Sequence, residues 1–328
     1  MQEKIKKIGV LTSGGDAPGM NAAIRAVVRS CAFNNIECAG IYRGYQGLIE
    51  NDIEELNARS VRNVISRGGT FLKSARSKEF QTKEGRQKAY NNLKNANIDA
   101  LVVIGGDGTF TGGLLFDTEF DFPVIGIPGT IDNDISGTDF TIGYDTALNT
   151  VVEAIDKIRD TASSHNRLFL VEVMGRDAGD IALNSGIGAG AEEILIPEEN
   201  TGVDRLIESL RKSKKTGKTS SIIVVAEGDK SGKNIFELAE FIEQNLDEYE
   251  VRVSVLGHIQ RGGSPSCYDR VLASKLGVGA VDALLRGERT IMVGIHHQQV
   301  VSVPLKVAIQ GEPKYDKNLR RVADITSI

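Results

Sequence analysis

The sequence predicts an α/β protein made of two doubly wound lobes with mainly parallel sheets, facing each other across a cleft. Three observations carry that expectation. Short apolar runs alternate with helical stretches, the pattern of strand–helix–strand units in a parallel sheet. Polar, glycine-rich turns follow these runs at the carboxyl ends of strands, where open α/β sheets take their ligands. The chain has 328 residues, the length of two domains or one large one.

The elements follow in order. Lys7 to Thr12 reads as a short buried strand, SGGDAPGMN as its turn, and about Asn21 to Phe33 as a helix. Glu37 to Tyr42 is a second strand. A charged helix near Lys83 to Asn95 leads into a strand from Ala100 to Ile104, then GGDGT and another helix. Pro123 to Ile127 is a strand that ends at PGTIDND. The second half repeats the scheme. An amphipathic helix spans Leu148 to Arg159, and strands at Leu168 to Val173, Ser221 to Ala226 and Val251 to Leu256 deliver MGRDAGD, EGDKSG and GHIQRGGSPS. The basic stretch Arg211 to Ser220 reads as an exposed helix end and loop.

Composition bounds the function classes. A hydrophobic fraction of 41% and a charged fraction of 25% are those of a globular protein that needs no disulfide or metal staple. The net charge of −5 argues against nucleic acid as the main partner, which would want a broad basic face. Cys31, Cys38 and Cys267 form no metal or redox spacing, which fits reduced thiols. The N-terminus lacks a signal-peptide pattern and no apolar run approaches a membrane span, so the expected location is the cytoplasm, with no membrane partner.

Three loops carry phosphate chemistry. In GGDGT, Gly105 to Thr109, glycines let the backbone approach a phosphate, and N–H groups opening a helix cradle an anion. Asp107 suits Mg²⁺, which prefers carboxylate and phosphate oxygens. Read alone, the segment is also a plain strand-to-helix turn with an aspartate cap. In PGTIDND, Asp132 and Asp134 supply two carboxylates, one to take a hydroxyl proton and one to manage magnesium or geometry. Read alone, DND is also an Asx turn. SGGDAPGMNAAIR is a third such loop, without the Lys-Ser/Thr of a Walker A loop. Arg25 and Arg29 lie four apart on one helical face. In the second half Arg167, Arg176, Arg252 and Arg261 lie at strand edges or in the loops that follow, with His258 near Arg261. Guanidinium groups grip phosphate oxygens in pairs of hydrogen bonds, so these four point to a second phosphorylated ligand.

SGGDAPGMN, GGTFLKSAR, GGDGT, PGTIDND, VEVMGRDAG and LGHIQRGG, in this order and spacing, closely resemble the bacterial ATP-dependent 6-phosphofructokinase family from about Lys7 to Arg320. The resemblance implies a homotetramer that transfers the ATP γ-phosphate to the 1-hydroxyl of fructose 6-phosphate. It implies a larger ATP-binding lobe of 1–142 plus about 260–310, and a smaller fructose 6-phosphate-binding lobe of about 143–259 plus 311–328. Asp132 falls on the general base, with Thr130 and Arg176 beside it in catalysis, and Asp107 on the Mg²⁺ ligand. Gly15, Tyr45, Arg76, Ser77, Gly106, Asp107, Gly108 and Thr109 fall on the ATP site. Thr130, Asp132, Arg167, Met174, Gly175, Arg176, Glu227, Arg252, His258 and Arg261 fall on the sugar-phosphate site, with Arg167 and Arg252 serving a neighbouring subunit. An ADP or phosphoenolpyruvate effector site is matched at Arg25, Arg29, Arg159, Gly190, Glu192 and Lys218. It departs from the family at Ala58, Thr216 and Ser220, where cationic contacts are missing or displaced.

Pyrophosphate-dependent relatives carry Asp where this chain has Gly108 and Lys where it has Gly129; two glycines favour ATP. A non-catalytic nucleotide sensor would need a damaged catalytic loop, yet Asp107, Thr130, Asp132 and Arg176 are all present. A different GGDG kinase, acting on NAD or a lipid, leaves the later arginine and histidine motifs without a place.

Overall fold

The computed structural model describes residues 5–162, 167–199, 203–215, 221–230, 232–246, 249–311 and 315–327. In chain order its elements are β1 (Lys7–Thr12), α1 (Met20–Phe33), β2 (Glu37–Ile41), α2 (Gly44–Glu50), β3 (Ile53–Leu56), α3 (Lys83–Asn95), β4 (Ala100–Gly105) and α4 (Asp107–Phe120). Then come β5 (Val124–Pro128), α5 (Tyr144–Ala162), β6 (Arg167–Val173), α6 (Asp180–Gly188), β7 (Glu193–Leu195), α7 (Val203–Lys215), β8 (Ser221–Ala226) and α8 (Ile235–Asn245). The chain ends with β9 (Glu250–Val255), α9 (Cys267–Leu285), β10 (Ile291–His296), β11 (Gln299–Pro304), α10 (Leu305–Gln310) and α11 (Lys317–Thr326).

Two compact units result. The first comprises Met1–Ile131, Ile135–Thr146 and Arg261–Glu312, and the second Asp132–Asp134, Ala147–Gln260 and Pro313–Ile328. The first holds a seven-stranded sheet in the order β11-β10-β5-β4-β1-β2-β3. Pairings from β10 to β2 are parallel, and both edge strands, β3 and β11, are antiparallel. The central strands β4 and β5 are buried throughout, as expected when helices cover both faces. On the edge strand β3, Glu54 and Glu55 are exposed, which discourages pairing with another chain. Beneath the sheet lies an aromatic cluster in which Phe80 stacks on Tyr45 at 4.0 Å and Phe116 meets Phe122 edge-on at 5.6 Å.

The second unit is a four-stranded parallel sheet in the order β7-β8-β6-β9. Its core gathers Leu168, Leu170, Ile223, Val225, Leu238 and Ile242. Buried Arg320 of α11 fastens to the Ile194 carbonyl at 3.0 Å and to Glu199 at 3.2 Å, so its charge is paired.

Most strands fall within a residue of the sequence reading. The helix expected at Leu148 begins earlier, at Tyr144, because its first turn is capped by a carboxylate far along the chain, described below. The hairpin of β10 and β11 and the short strands β3 and β7 are additional to that reading. Helix α7 runs to Lys215, and residues 216–220, which include Thr216, Lys218 and Ser220, lie outside the described residues.

Candidate active site

In the first unit, three segments meet at the carboxyl ends of β1, β4 and β5. Ser13 donates its N–H to the Ile104 carbonyl, which brings the SGGD turn beside β4. Thr109 Oγ1 then donates to the Ser13 carbonyl at 3.1 Å. A β-carbon at Gly105 would collide with both Ser13 O and Thr109 Oγ1, so the close approach of the two loops requires glycine there. Gly106 precedes α4, and Asp107 is its first residue, exposed in the first turn. This is the arrangement of a helix N-terminus open to an anion, with one carboxylate at its rim.

The GGTFLKSAR strap lies along the SGGD loop. Thr12 Oγ1 donates to the Lys73 carbonyl at 2.8 Å, and Ser74 Oγ donates to the Gly14 carbonyl at 2.8 Å. The Asn21 side chain fastens the strap from below. It donates to the Arg67 and Gly68 carbonyls and accepts the Phe71 N–H at 2.8 Å. Arg76 is thereby carried to the end of the strap, exposed, and Ser77 donates to Gln46 at 2.7 Å. Tyr45 meets the cradle from its buried side. It is 6% exposed and its hydroxyl donates to the Thr109 carbonyl at 2.6 Å. Its role there is to orient the loop, with little surface left for a ligand. Gly15 lies under the Arg261 guanidinium, 2.7 Å from where a β-carbon would stand, and Arg261 donates to the Asp16 carbonyl at 3.3 Å. Arg261 is thus found on the SGGD loop.

The third segment is PGTIDND. Gly129 donates its N–H to Gly105 O at 3.0 Å and bridges Ile142, so the loop is locked against β4. Thr141 Oγ1 donates to the Thr130 carbonyl at 2.6 Å. A β-carbon at Gly129 would stand 3.0 Å from Ile104 Cγ2 and 3.2 Å from Met20 Cε, whereas one at Gly108 would meet nothing within 4 Å.

In the second unit, Asp132 is 1% exposed and its carboxylate pairs with the Arg176 guanidinium at 3.3 Å. Asn133, at φ 52°, donates to Asp180 at 2.7 Å, which fixes the turn onto α6. Arg176 itself is in the left-handed region, φ 52°, and follows Gly175 at φ 148°. Glu227 holds this kink: its Oε1 accepts the N–H of Gly175 at 3.2 Å and of Arg176 at 2.8 Å. Met174 is buried beside it. Burial, and then the neighbouring Glu227, raise the Glu172 carboxyl above the usual carboxylate range. The carboxyl ends of β6 and β8 therefore present Arg176 on a built scaffold.

Arg167 and Arg252 are elsewhere. Arg167 opens β6 at its amino end, and Arg252 lies within the edge strand β9, in register with Phe169. Arg167 pairs with Glu250 at 2.8 Å, and Arg252 pairs with the same carboxylate group. His258 is exposed in the turn after β9.

Of the effector matches, Arg159, Gly190 and Glu192 come together. Arg159 donates to the Gly190 carbonyl at 2.8 Å and stands 3.7 Å from Glu192. Arg25 and Arg29 share a face of α1 in the other unit, where partial burial, and then Arg29, lower the Arg25 pKa.

Asn21, Asp269 and Glu198, whose carboxylate accepts the Gly179 N–H at 2.9 Å, organise these loops without having stood out in the sequence. For Asp269 a signal exists, the S-x-x-D pattern of a helix cap at Ser266. Its side chain, however, is diverted to partners 123 and 126 positions away.

No group of three or more His, Cys, Asp or Glu side chains suited to a metal occurs among the described residues. Magnesium held between one or two carboxylates and substrate phosphates needs no such cage, and exposed Asp107 at the cradle fits that mode. No helix among the described residues is long and apolar enough to cross a membrane.

A phosphofructokinase family model matches residues 7–284. The chain is 55% identical over 324 residues to "ATP-dependent 6-phosphofructokinase 2" of Bacteroides thetaiotaomicron, covering 99% of both chains. It is 56% identical over 324 residues to the "ATP-dependent 6-phosphofructokinase" of Bacillus pumilus, covering 99% of this chain and 100% of that one. Among solved structures, phosphofructokinase from Saccharomyces cerevisiae superposes with a TM-score of 0.89 at 37% identity; 98% of this chain is covered, and it spans 48% of the yeast chain. By the family model and by these relatives, the chain belongs to the phosphofructokinase family.

Proposed function

We propose that this protein is a cytoplasmic ATP-dependent 6-phosphofructokinase that phosphorylates fructose 6-phosphate at its 1-hydroxyl, with Asp132 as the general base. The observation that carries the assignment of roles is Asp132 itself, a buried carboxylate paired with Arg176 at the end of β5. A carboxylate so placed accepts the hydroxyl proton as the oxygen attacks the γ-phosphorus, and Arg176 is close enough to balance charge on the transferred group. Thr130, one turn of loop earlier, positions the same group.

On this reading the first unit binds the nucleotide. Gly106, Gly108 and Thr109 of the cradle, Gly15 of the SGGD loop, and Arg76 and Ser77 of the strap take its phosphates, and Tyr45 supports Thr109. Asp107 would hold Mg²⁺, which when bound neutralises phosphate charge. The second unit binds the sugar phosphate: Glu227 and Met174 meet the sugar, and Gly175 and Arg176 lie under the reacting end. Arg167, Arg252 and His258 take the 6-phosphate, and Arg261, a residue of the first unit that lies on the SGGD loop, is assigned to it by the resemblance alone. By resemblance to the family, Arg167 and Arg252 are assigned to the site of a neighbouring subunit in a homotetramer.

Pyrophosphate as donor is disfavoured by residue type at 108 and by space at 129, where a lysine would displace Met20. An assay of fructose 1,6-bisphosphate formation with ATP or pyrophosphate as sole donor decides; product from pyrophosphate alone overturns the choice. Asp132→Ser should lower turnover by about 10²- to 10⁴-fold with little change in sugar affinity. Near wild-type turnover in that variant would sink the mechanism. Effector control by ADP or phosphoenolpyruvate through Arg25, Arg29, Arg159, Gly190, Glu192 and Lys218 is weakened relative to the family, given Ala58, Thr216 and Ser220. Strong regulation by both at subsaturating fructose 6-phosphate would refute that.

A further inference from the structure

The segment from Thr141 to Gly143 is a belt between the nucleotide loop and the transfer loop. Ile142 donates its N–H to Pro128 O at 2.9 Å and bridges Gly129, and Thr141 Oγ1 holds the Thr130 carbonyl. On the other side, a β-carbon at Gly19 would stand 2.7 Å from Ile142 Cγ2. Gly143 is wedged between the two loops. At φ 103°, a β-carbon there would stand 2.7 Å from Ala17 Cβ, 3.1 Å from Pro18 Cδ and 3.3 Å from Ile131 Cγ2.

One buried carboxylate anchors this belt. Asp269, fully buried in the first turn of α9, accepts the Gly143 N–H on Oδ1 at 2.9 Å. On Oδ2 it accepts the Thr146 N–H at 2.8 Å and the Thr146 hydroxyl at 2.5 Å. The Thr146 oxygen in turn accepts the Ser266 N–H at 2.9 Å. Both carboxylate oxygens thus face backbone donors, which only an acceptor on each side can satisfy.

We propose that Asp269 is a positioning residue for phosphoryl transfer: by pinning Gly143 and the start of α5, it sets the spacing between the SGGDAPGMN loop and Pro128 to Ile131, the stretch of the transfer loop that leads into Asp132. This rests on the reading of PGTIDND as the transfer loop. The partners of the Asp269 carboxylate, Gly143 and Thr146, belong neither to the strap with Arg76 nor to the scaffold of Arg176 and Glu227, so each substrate keeps its own holding groups when the clamp is lost. What changes is the placement of Thr130 and the start of the transfer loop against the SGGDAPGMN loop, and a misplacement of about 1 Å at a reacting group costs about 10²-fold in rate.

Asp269→Asn is the direct test, because its amide must turn an N–H₂ toward either Gly143 N–H or Thr146 N–H. In the folded variant, with native circular dichroism and unchanged assembly, kcat should fall about 10- to 100-fold while KM for ATP and for fructose 6-phosphate stays within about threefold. Gly143→Ala, which wedges the two loops apart with the clamp intact, should give the same split, and Thr146→Ser, which keeps the hydroxyl, should retain wild-type kcat. A residue that only supports the fold would lower the melting temperature and leave kcat of the folded enzyme unchanged. Wild-type kcat in folded Asp269→Asn overturns the inference, as does a loss carried mainly by KM. If Asp269→Asn does not fold, Gly143→Ala decides by the same readout. Asp132→Ser runs alongside: if it keeps its turnover, the reading of the transfer loop fails. If it is inactive while Asp269→Asn is normal, only the positioning role fails.

Discussion

Gly108→Asp separates donor recognition from folding, because its two effects have opposite signs. Gly108 is the second residue of α4, exposed, with no atom within 4 Å of a built β-carbon. An aspartate therefore enters without repacking. It meets the positive end of the helix, worth about 0.3–1 kcal/mol, and replacing a helical glycine adds a few tenths. Repulsion from adjacent Asp107 offsets part of this gain. For ATP the sign reverses. A unit negative charge about 5 Å from a phosphate oxygen costs about 3 kcal/mol at an effective dielectric of about 20. Because the position is exposed, screening reduces that to roughly 1.5–3 kcal/mol, or about 10- to 100-fold in kcat/KM for ATP. Initial rates with ATP at saturating fructose 6-phosphate, beside thermal unfolding, read both effects. The melting temperature should stay within about 2 °C of wild type or rise. A folded variant that keeps its ATP kcat/KM within about threefold would refute the placement of nucleotide phosphates at this turn.

Tyr45→Phe keeps the stack on Phe80 and removes only the 2.6 Å hydrogen bond to the Thr109 carbonyl. A loss of about 1 kcal/mol should appear as a several-fold rise in KM for ATP, and an unchanged KM would exclude the supporting role. Glu227→Gln retains an acceptor for the N–H groups of Gly175 and Arg176, whereas Glu227→Ala leaves both unheld around a residue at φ 52°. Kinetics on fructose 6-phosphate should therefore show a loss of about 10²-fold in kcat/KM for Ala and a clearly smaller one for Gln. Equal losses would mean that only the sugar contact matters. Burial pushes the Asp269 carboxyl up to about 6, against the hydrogen bonds from Thr146 and Gly143 that favour its ionised form. The folded protein therefore binds this proton at a higher pH than the unfolded chain, while at neutral pH the group is ionised and accepts on both oxygens. The stability it contributes is fully present below about pH 4, the unfolded value, and is lost as pH rises through about 6, by about 3 kcal/mol in all. Urea unfolding of wild type and Asp269→Asn from pH 4 to 7 should show the difference between them changing across that window; parallel profiles would refute the shift.

What the sequence disclosed was local. A glycine-rich turn after an apolar run needs only its neighbours to be recognised, so the loops at Gly14, Gly105 and Pro128 were legible, as were the strands that deliver them. The edge strands β3, β7 and β11 were not: β11 is mostly exposed, and its place depends on pairing with β10. Burial states were also hidden. Tyr45, assigned to the nucleotide by position, faces the cradle from the core side, and nothing in a GYQG segment reports which face a tyrosine will turn.

Asp269 shows the same limit in its sharpest form. By local pattern it is an ordinary third-position helix acid after Ser266, and Ser266 does cap its N–H at 3.2 Å. A carboxylate spent on that cap would reach back to the Ser266 N–H. Here the Ser266 N–H goes to Thr146 instead, and the carboxylate crosses to the start of α5. The exchange lets one residue of the third segment of the first unit fix the geometry of its second segment, just before the chain enters the second unit at Ala147. It also explains why α5 begins at Tyr144: the cap that starts it is supplied through tertiary contact, so no reading of residues 140–148 alone would place it.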